Sequence, residues 1–199
     1  VTSSNLLRDS SAWYHLMYVY DSTQATAANR IIYYINGVQV TSYSNTTYPS
    51  QNYATYINKA SEVTYFGAYN GSPMRQFVGS YFADSYFIDG QALTPTSFGA
   101  FDAVTGIWNP IRYSGTYGTN GFYLNFSDNT SPPSATTIGK DSSGNGNDWT
   151  PTQISLTAGT TYDSMVDSPS NYGSDTGAGG EVRGNYAVMN PLNVNSGTI

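Results

Sequence analysis

Asn36-Gly37, set between RIIYYI and VQVTSY within residues 30–43, is the feature that most restricts this chain. A two-residue turn of this type needs positive φ at both positions, which Asn and Gly tolerate, and its twist matches that of two antiparallel strands. The flanking runs are rich in Ile, Val and Tyr, which suit a pleated surface. A hairpin is therefore predicted across this stretch. WYHLMYVYD (13–21), EVTYFGAY (62–69) and GSYFADSYFIDG (79–90) share the β-branched and aromatic texture and are bounded by Gly, Asn or Pro. Helix signals are nearly absent. LTPTSFGAF (93–101) supports one helical turn, with Thr94 as its cap and Pro95 at the first position. Short strands separated by turn signals predict an all-β antiparallel sandwich or barrel. Its candidate core is Trp13, Ile31, Ile35, Val38, Val40, Phe66, Phe77, Phe82 and Phe87.

The texture changes after residue 112. GFYLNF (121–126) is one clear strand, but NTSPPSATT and SPSNYGSDTGAGGEVRG are rich in Gly, Ser, Pro and Asn with few apolar anchors. Residues 1–112 are thus expected to hold the sandwich strands, and residues 113–199 a loop-rich extension with one or two strands. No fixed-period repeat supports a solenoid or propeller.

Composition removes several function classes. The net charge is −6 with only seven Lys or Arg in 199 residues, so nucleic acid is not an expected partner. The apolar runs are only a few residues long, far short of the roughly 20 that span a bilayer, so membrane insertion is not expected. With no Cys there are no disulfides, thiolate zinc sites or cysteine nucleophiles. Nineteen Tyr among abundant Ser, Thr, Asn and Gly resemble the palette of adhesive surfaces, where rigid rings and small polar groups make contacts.

Three chemistries can be weighed against simpler roles. Retaining glycoside hydrolysis needs two carboxyls about 5–5.5 Å apart, which on a strand means i and i+2 or i+4. Glu62 and Glu181 are distant in sequence, and Asp84 and Asp89 have the wrong parity, so no such pair is legible. His15 is the only histidine; inside an aromatic strand it reads as a packed residue before a triad member. GKDSSGNGNDWT (139–150) gathers side-chain oxygens like a calcium loop, with Asp141, Ser143, Asn145 and Gly146 in step. Thr152 stands where such a loop needs Glu, and no helices flank it. Asn and Asp also bond their own backbone, so the better structural reading is a pair of consecutive tight turns.

WYHLMYVYDSTQATAANRIIYYINGVQV followed by YFGAYNGSPMRQFVGSYFADSYFIDGQALTP resembles the later strands of a laminin-G-like, concanavalin A-like lectin or glucanase sandwich. With FIDGQALTPTSFGAF, GKDSSGNGNDWTP and NYAVMNPLN, the series is similar to virion and tail-fibre proteins of bacteriophages, notably marine ones. The resemblance spans nearly the whole chain and makes the 139–150 stretch a family signature built on turns. It implies a jelly roll that is incomplete within this chain, its first strands belonging to a longer protein upstream or coming from elsewhere, with NPLNVNSGTI resembling the lead-in to a further domain. The glucanase branch's E-x-D-x-x-E strand is missing, so the resemblance implies binding and not hydrolysis.

The expected function is a non-enzymatic virion surface protein, a fibre or appendage segment attaching to host-surface glycans. The alternative is a purely structural virion component, such as a capsid decoration or fibre building block; a glycan hydrolase ranks third. Expected partners are other virion proteins, further copies of the chain in a homo-oligomer, and host glycan. Glycan contacts are expected on loops, where rings stack on sugars and amides take hydroxyls. The candidates are Tyr43, Tyr48, Tyr53, Tyr56 and Tyr69 with Asn45, Asn52 and Asn70, which flank the hairpin and the loop after it. No cofactor is required; the fold's ligand loops often hold calcium, and Asp21 is the matching position.

Overall fold

A computed structural model describes residues 1–9, 11–57, 63–68, 80–157 and 163–164. Within them the chain is all-β. Its strands are β1 (Thr2–Ser3), β2 (Leu16–Tyr20), β3 (Ile31–Ile35), β4 (Val38–Gln39), β5 (Tyr43–Asn45), β6 (Ser85–Phe87), β7 (Gly99–Phe101), β8 (Trp108–Pro110) and β9 (Phe122–Leu124). They form four small sheets, β1-β5, β2-β3-β4, β6-β9 and β7-β8, an arrangement compatible with a sandwich. Every strand pairing is antiparallel. Among the described residues no helix is long and apolar enough to cross a membrane.

The Asn-Gly hairpin forms as its residues require. Asn36 and Gly37 have φ of 47° and 76°, and β3 folds back so that Ile35 faces Val38. Asn36 also fastens the turn to the lead-in of β2: its Oδ1 accepts the His15 N–H at 2.8 Å, and its own N–H donates to the His15 carbonyl at 2.8 Å. The β2-β3 register sets Leu16, Tyr18 and Tyr20 against Ile35, Tyr33 and Ile31, with Val38 beside Ile35. Strand side chains alternate between faces, so these residues share one side of the sheet.

Other expectations change. The helical turn of 93–101 is a 3-10 turn over Pro95–Ser97, and Thr94 does not cap it, because its Oγ1 is hydrogen-bonded to Thr96 Oγ1 at 2.8 Å. The chain then extends at once into β7. No strand forms in residues 63–68, and Phe77 lies outside the described residues.

The buried core also lies later in the chain than the hydrophobic runs suggest. It consists of Val40 with Phe98, Tyr113, Phe122, Tyr123, Leu124, Ile138 and Leu156. Trp13, Ile31, Ile35 and Phe87 are half-buried, whereas Val38 is 59% exposed and Phe66 and Phe82 are also largely exposed. Aromatic stacking explains the displacement. β6-β9 lays Tyr86 flat on Tyr123, with ring centroids 4.5 Å apart, and Phe87 on Phe122 at 5.6 Å, while Phe98 stacks on Tyr113 at 5.0 Å. Such pairs gain about 0.5–1.5 kcal/mol beyond the area they bury.

Trp108 joins this core to the hairpin. A Cβ on Gly37 would fall 2.3 Å from its ring and one on Gly99 2.4 Å, so the indole lies against bare backbone of both the β3-β4 turn and β7. His15 stands 5.6 Å from the same ring and 6.4 Å from Phe98.

Candidate functional site

The loop candidates divide by how firmly they are held. Arg30 is the anchor of this end of the molecule: its guanidinium donates to the carbonyls of Gln24 (2.8 Å), Ala25 (2.9 Å) and Pro49 (2.8 Å). That draws the stretch around Pro49 onto the β2-β3 connection. Gln51 Nε2 donates to the Thr23 carbonyl at 2.9 Å, Asn52 N–H to the Ser22 carbonyl at 2.8 Å, and the Tyr20 hydroxyl to the Tyr53 carbonyl at 2.6 Å. Asn52 sits at φ 59°, a left-handed conformation that Asn tolerates.

Tyr53 presents an exposed ring on this anchored backbone, and Tyr56, three residues further on, is 63% exposed. Tyr48 is half-buried. Tyr43 is turned into the sheet, its hydroxyl donating to the Val40 carbonyl at 2.7 Å and its ring 6.3 Å from Tyr33; burial, with some repulsion from Tyr48, raises its pKa. Asn45 spends its Oδ1 on the Thr47 N–H at 3.0 Å. The structure thus brings Asn52 and Tyr53 together with the Asp21 turn and places Tyr43 and Asn45 along the β1-β5 ribbon. Tyr69 and Asn70 lie outside the described residues.

Asp21 closes its own turn. Oδ1 accepts the Thr23 N–H at 3.0 Å and the Thr23 hydroxyl at 2.6 Å, and Oδ2 accepts Gln24 Nε2 at 2.6 Å. These bonds, the Thr23 hydroxyl foremost, hold its carboxyl below the usual aspartate pKa. A cation here would compete with all three donors. Among the described residues no group of three or more His, Cys, Asp or Glu side chains is placed to hold a metal ion.

The 139–150 stretch is a hydrogen-bonded clasp. Asp141, 5% exposed, accepts the N–H groups of Tyr123 (2.9 Å) and Ser143 (2.8 Å) on Oδ1, and the Ser143 hydroxyl (2.8 Å) and Asn147 N–H (2.9 Å) on Oδ2. A carboxylate offers about four lone-pair sites, and all are taken by the protein. Burial pushes the Asp141 carboxyl up, but the donors from Tyr123, Ser143 and Asn147 outweigh it and hold its pKa below the usual value. Asp148 takes the Asp141 N–H at 2.8 Å. Asn145 and Asn147 each donate to the Gly121 carbonyl at 2.8 Å, stitching the clasp to the turn before β9. The tight-turn reading of this stretch therefore describes its geometry.

His15 offers little to an acid–base mechanism. Among the described residues its buried Nδ1 has no hydrogen-bond partner, so none of their carboxylates orients the ring there, and burial lowers its pKa. Asp84 accepts the Tyr123 hydroxyl at 2.6 Å, and Asp89 accepts the Asn120 side chain at 2.8 Å. Glu62 and Glu181 lie outside the described residues.

Sequence reasoning missed a concave feature on another surface. A shallow cleft of about 540 Å³ opens between the Arg112–Tyr117 segment and the clasp at Ser142 and Ser143. Its one signal in the sequence is Arg112 in a chain with few cations. Comparison of the chain with protein-family models, curated proteins and solved structures gives no match.

Proposed function

We propose that this chain is a non-catalytic component of a bacteriophage particle surface, a fibre or appendage segment that holds host glycans through tyrosines of the 43–57 segment. The observation that carries the reading is the pairing of exposed rings at Tyr53 and Tyr56 with a backbone tied down by Arg30, Gln51 and Asn52. Rings on an anchored loop lose little freedom when a sugar stacks on them, so more of the contact energy remains as affinity. Asp21 supports the same loop through its turn, and calcium would bind there only by displacing Thr23 and Gln24.

Titration with host polysaccharide, with and without chelator, tests this. Binding should fall at least about tenfold in Tyr53→Ala and Tyr56→Ala, the loss expected when a stacked ring worth about 1.4 kcal/mol is removed. Absence of binding in both conditions would sink it.

A second reading, a structural virion component assembled as a homo-oligomer, is favoured by a different observation. Leu16 (61% exposed), Tyr18 and Val38 form an exposed apolar strip on one face of the β2-β3-β4 sheet, whose Tyr20, Ile31, Tyr33 and Ile35 are half-buried. Uncharged apolar patches of this kind mark contact surfaces.

A further inference from the structure

We propose that the cleft beside Arg112 binds a carboxylated sugar, a uronic acid unit of a glycan chain. The inference extends the glycan reading to a second surface and uses no residue of the tyrosine loop. It begins with how the two arginines near the sheets spend their donors. Arg30 is consumed by three backbone carbonyls. Arg112, among the described residues, has no carboxylate or carbonyl partner; its guanidinium lies over the Tyr123 ring, 5.2 Å from the centroid. Tyr123 is 1% exposed and backed by Tyr86, so the ring is a fixed platform and the fork above it is held in orientation.

The rest of the cleft is equally well supported. Tyr113 is buried with its hydroxyl donating to the Thr116 carbonyl at 3.0 Å, and the Tyr117 hydroxyl donates to the Tyr113 carbonyl at 3.3 Å. Both phenols are spent on backbone, which leaves the half-buried Tyr117 ring as a wall for the apolar side of a sugar. Gly115 admits no side chain, since a Cβ there would meet the Tyr113 hydroxyl at 2.2 Å. On the far side Ser142 is fixed by its N–H to the Tyr123 carbonyl at 2.7 Å and Ser143 by its hydroxyl to Asp141. Ser114 completes the lining.

A planar fork, an aromatic wall and hydroxyls around an open cleft match a ring that carries a carboxylate. The carboxylate takes the guanidinium in two parallel charge-assisted bonds, roughly twice as strong as neutral ones, and the ring hydroxyls face Ser114 and Ser142. The neighbouring acids do not compete for Arg112: Asp84 holds the Tyr123 hydroxyl, and Asp141 is filled by its own donors. A lone guanidinium at the cleft, on a chain of net charge −6, suits an isolated carboxylate better than a polyphosphate backbone.

The test is calorimetric titration of the full chain with oligogalacturonate and with a neutral galactan oligomer of the same length. Oligogalacturonate should bind about tenfold or more tightly than the neutral oligomer and weaken as salt is raised. Arg112→Gln should abolish that preference. Arg112→Lys, which keeps the charge and loses the fork, should retain part of it, and near-ultraviolet circular dichroism checks that both variants keep their aromatic packing. Tyr53→Ala and Tyr56→Ala should leave uronate binding in place. Equal binding of acidic and neutral oligomers, no binding of either, or unchanged uronate binding in a folded Arg112→Gln would overturn the proposal. Loss in the Tyr53 and Tyr56 variants alone would overturn it while leaving the tyrosine loop as the glycan site.

Discussion

Asp141 gathers three stretches of backbone onto one carboxylate. Three N–H groups, those of Tyr123, Ser143 and Asn147, have it as their acceptor, and Tyr123 is among the most buried residues of the chain. In Asp141→Ala these donors are left without partners, and a buried unsatisfied donor costs about 1–3 kcal/mol, so a loss of about 3 kcal/mol in stability is expected from the urea midpoint. The turn-forming habit of this stretch was legible because Asx bonding is local. Its tie to Tyr123 was not, because that partner is eighteen positions away. Acid should reveal two residues in turn. The His15 pKa is lowered by burial, so the unfolded chain binds the proton more readily, and stability should decline as pH falls below about 6.5, the ordinary imidazole value. The Asp141 pKa is also lowered, and its contribution should persist until pH falls below the unfolded value near 3.8. Urea midpoints between pH 8 and 5 check the first step: His15→Phe should flatten the slope, and an unchanged slope would refute the assignment.

Among the elements, β2, β3 and the hairpin turn follow from their residues, since Asn36-Gly37 and the β-branched runs act over a few positions. The β7-β8 hairpin was hidden because Gly99–Phe101 follows a turn-like Thr-Pro sequence and β8 carries Pro110. What makes Gly99–Phe101 a strand is its partner, and Trp108 in that partner needs Gly99 to be bare. Gly99→Ala would place a Cβ 2.4 Å from the indole and 2.8 Å from the Asn109 carbonyl oxygen. Overpacking of this kind costs about 1–3 kcal/mol, which should appear as a lowered thermal midpoint. The penalty should shrink in a Trp108→Leu background, where the ring is gone; additive effects of the two changes would disprove the contact as its cause.

At the scale of the whole molecule, the chain closes its aromatic core around Tyr86, Phe98, Tyr113 and Tyr123, while the sheet richest in Ile, Val and Tyr keeps an exposed strip at Leu16, Tyr18 and Val38 on one open face. Tyrosine conceals this division from sequence reasoning, since the same residue fills the core at Tyr123 and stands in solvent at Tyr56. The tyrosine loop was legible as a candidate site because aromatic and amide residues cluster there. The Arg112 cleft was not, because its walls come from segments that only the fold brings together. If the open face is a contact between copies, Tyr18→Lys should hold the chain as a monomer at concentrations where the parent associates, as read by sedimentation velocity. A parent that remains monomeric at high concentration would remove the face as a self-contact.

The indole wedged between Gly37 and Gly99 is also a fluorophore. Its Nε1 is buried and makes no hydrogen bond among the described residues, so Trp108 should emit toward the blue end of the tryptophan range, and the imidazole 5.6 Å away should quench it on taking a proton. The joint between hairpin and core thus carries its own optical reporter. A red shift of that band would register the two parting, whether acid, heat or a bound partner drives them.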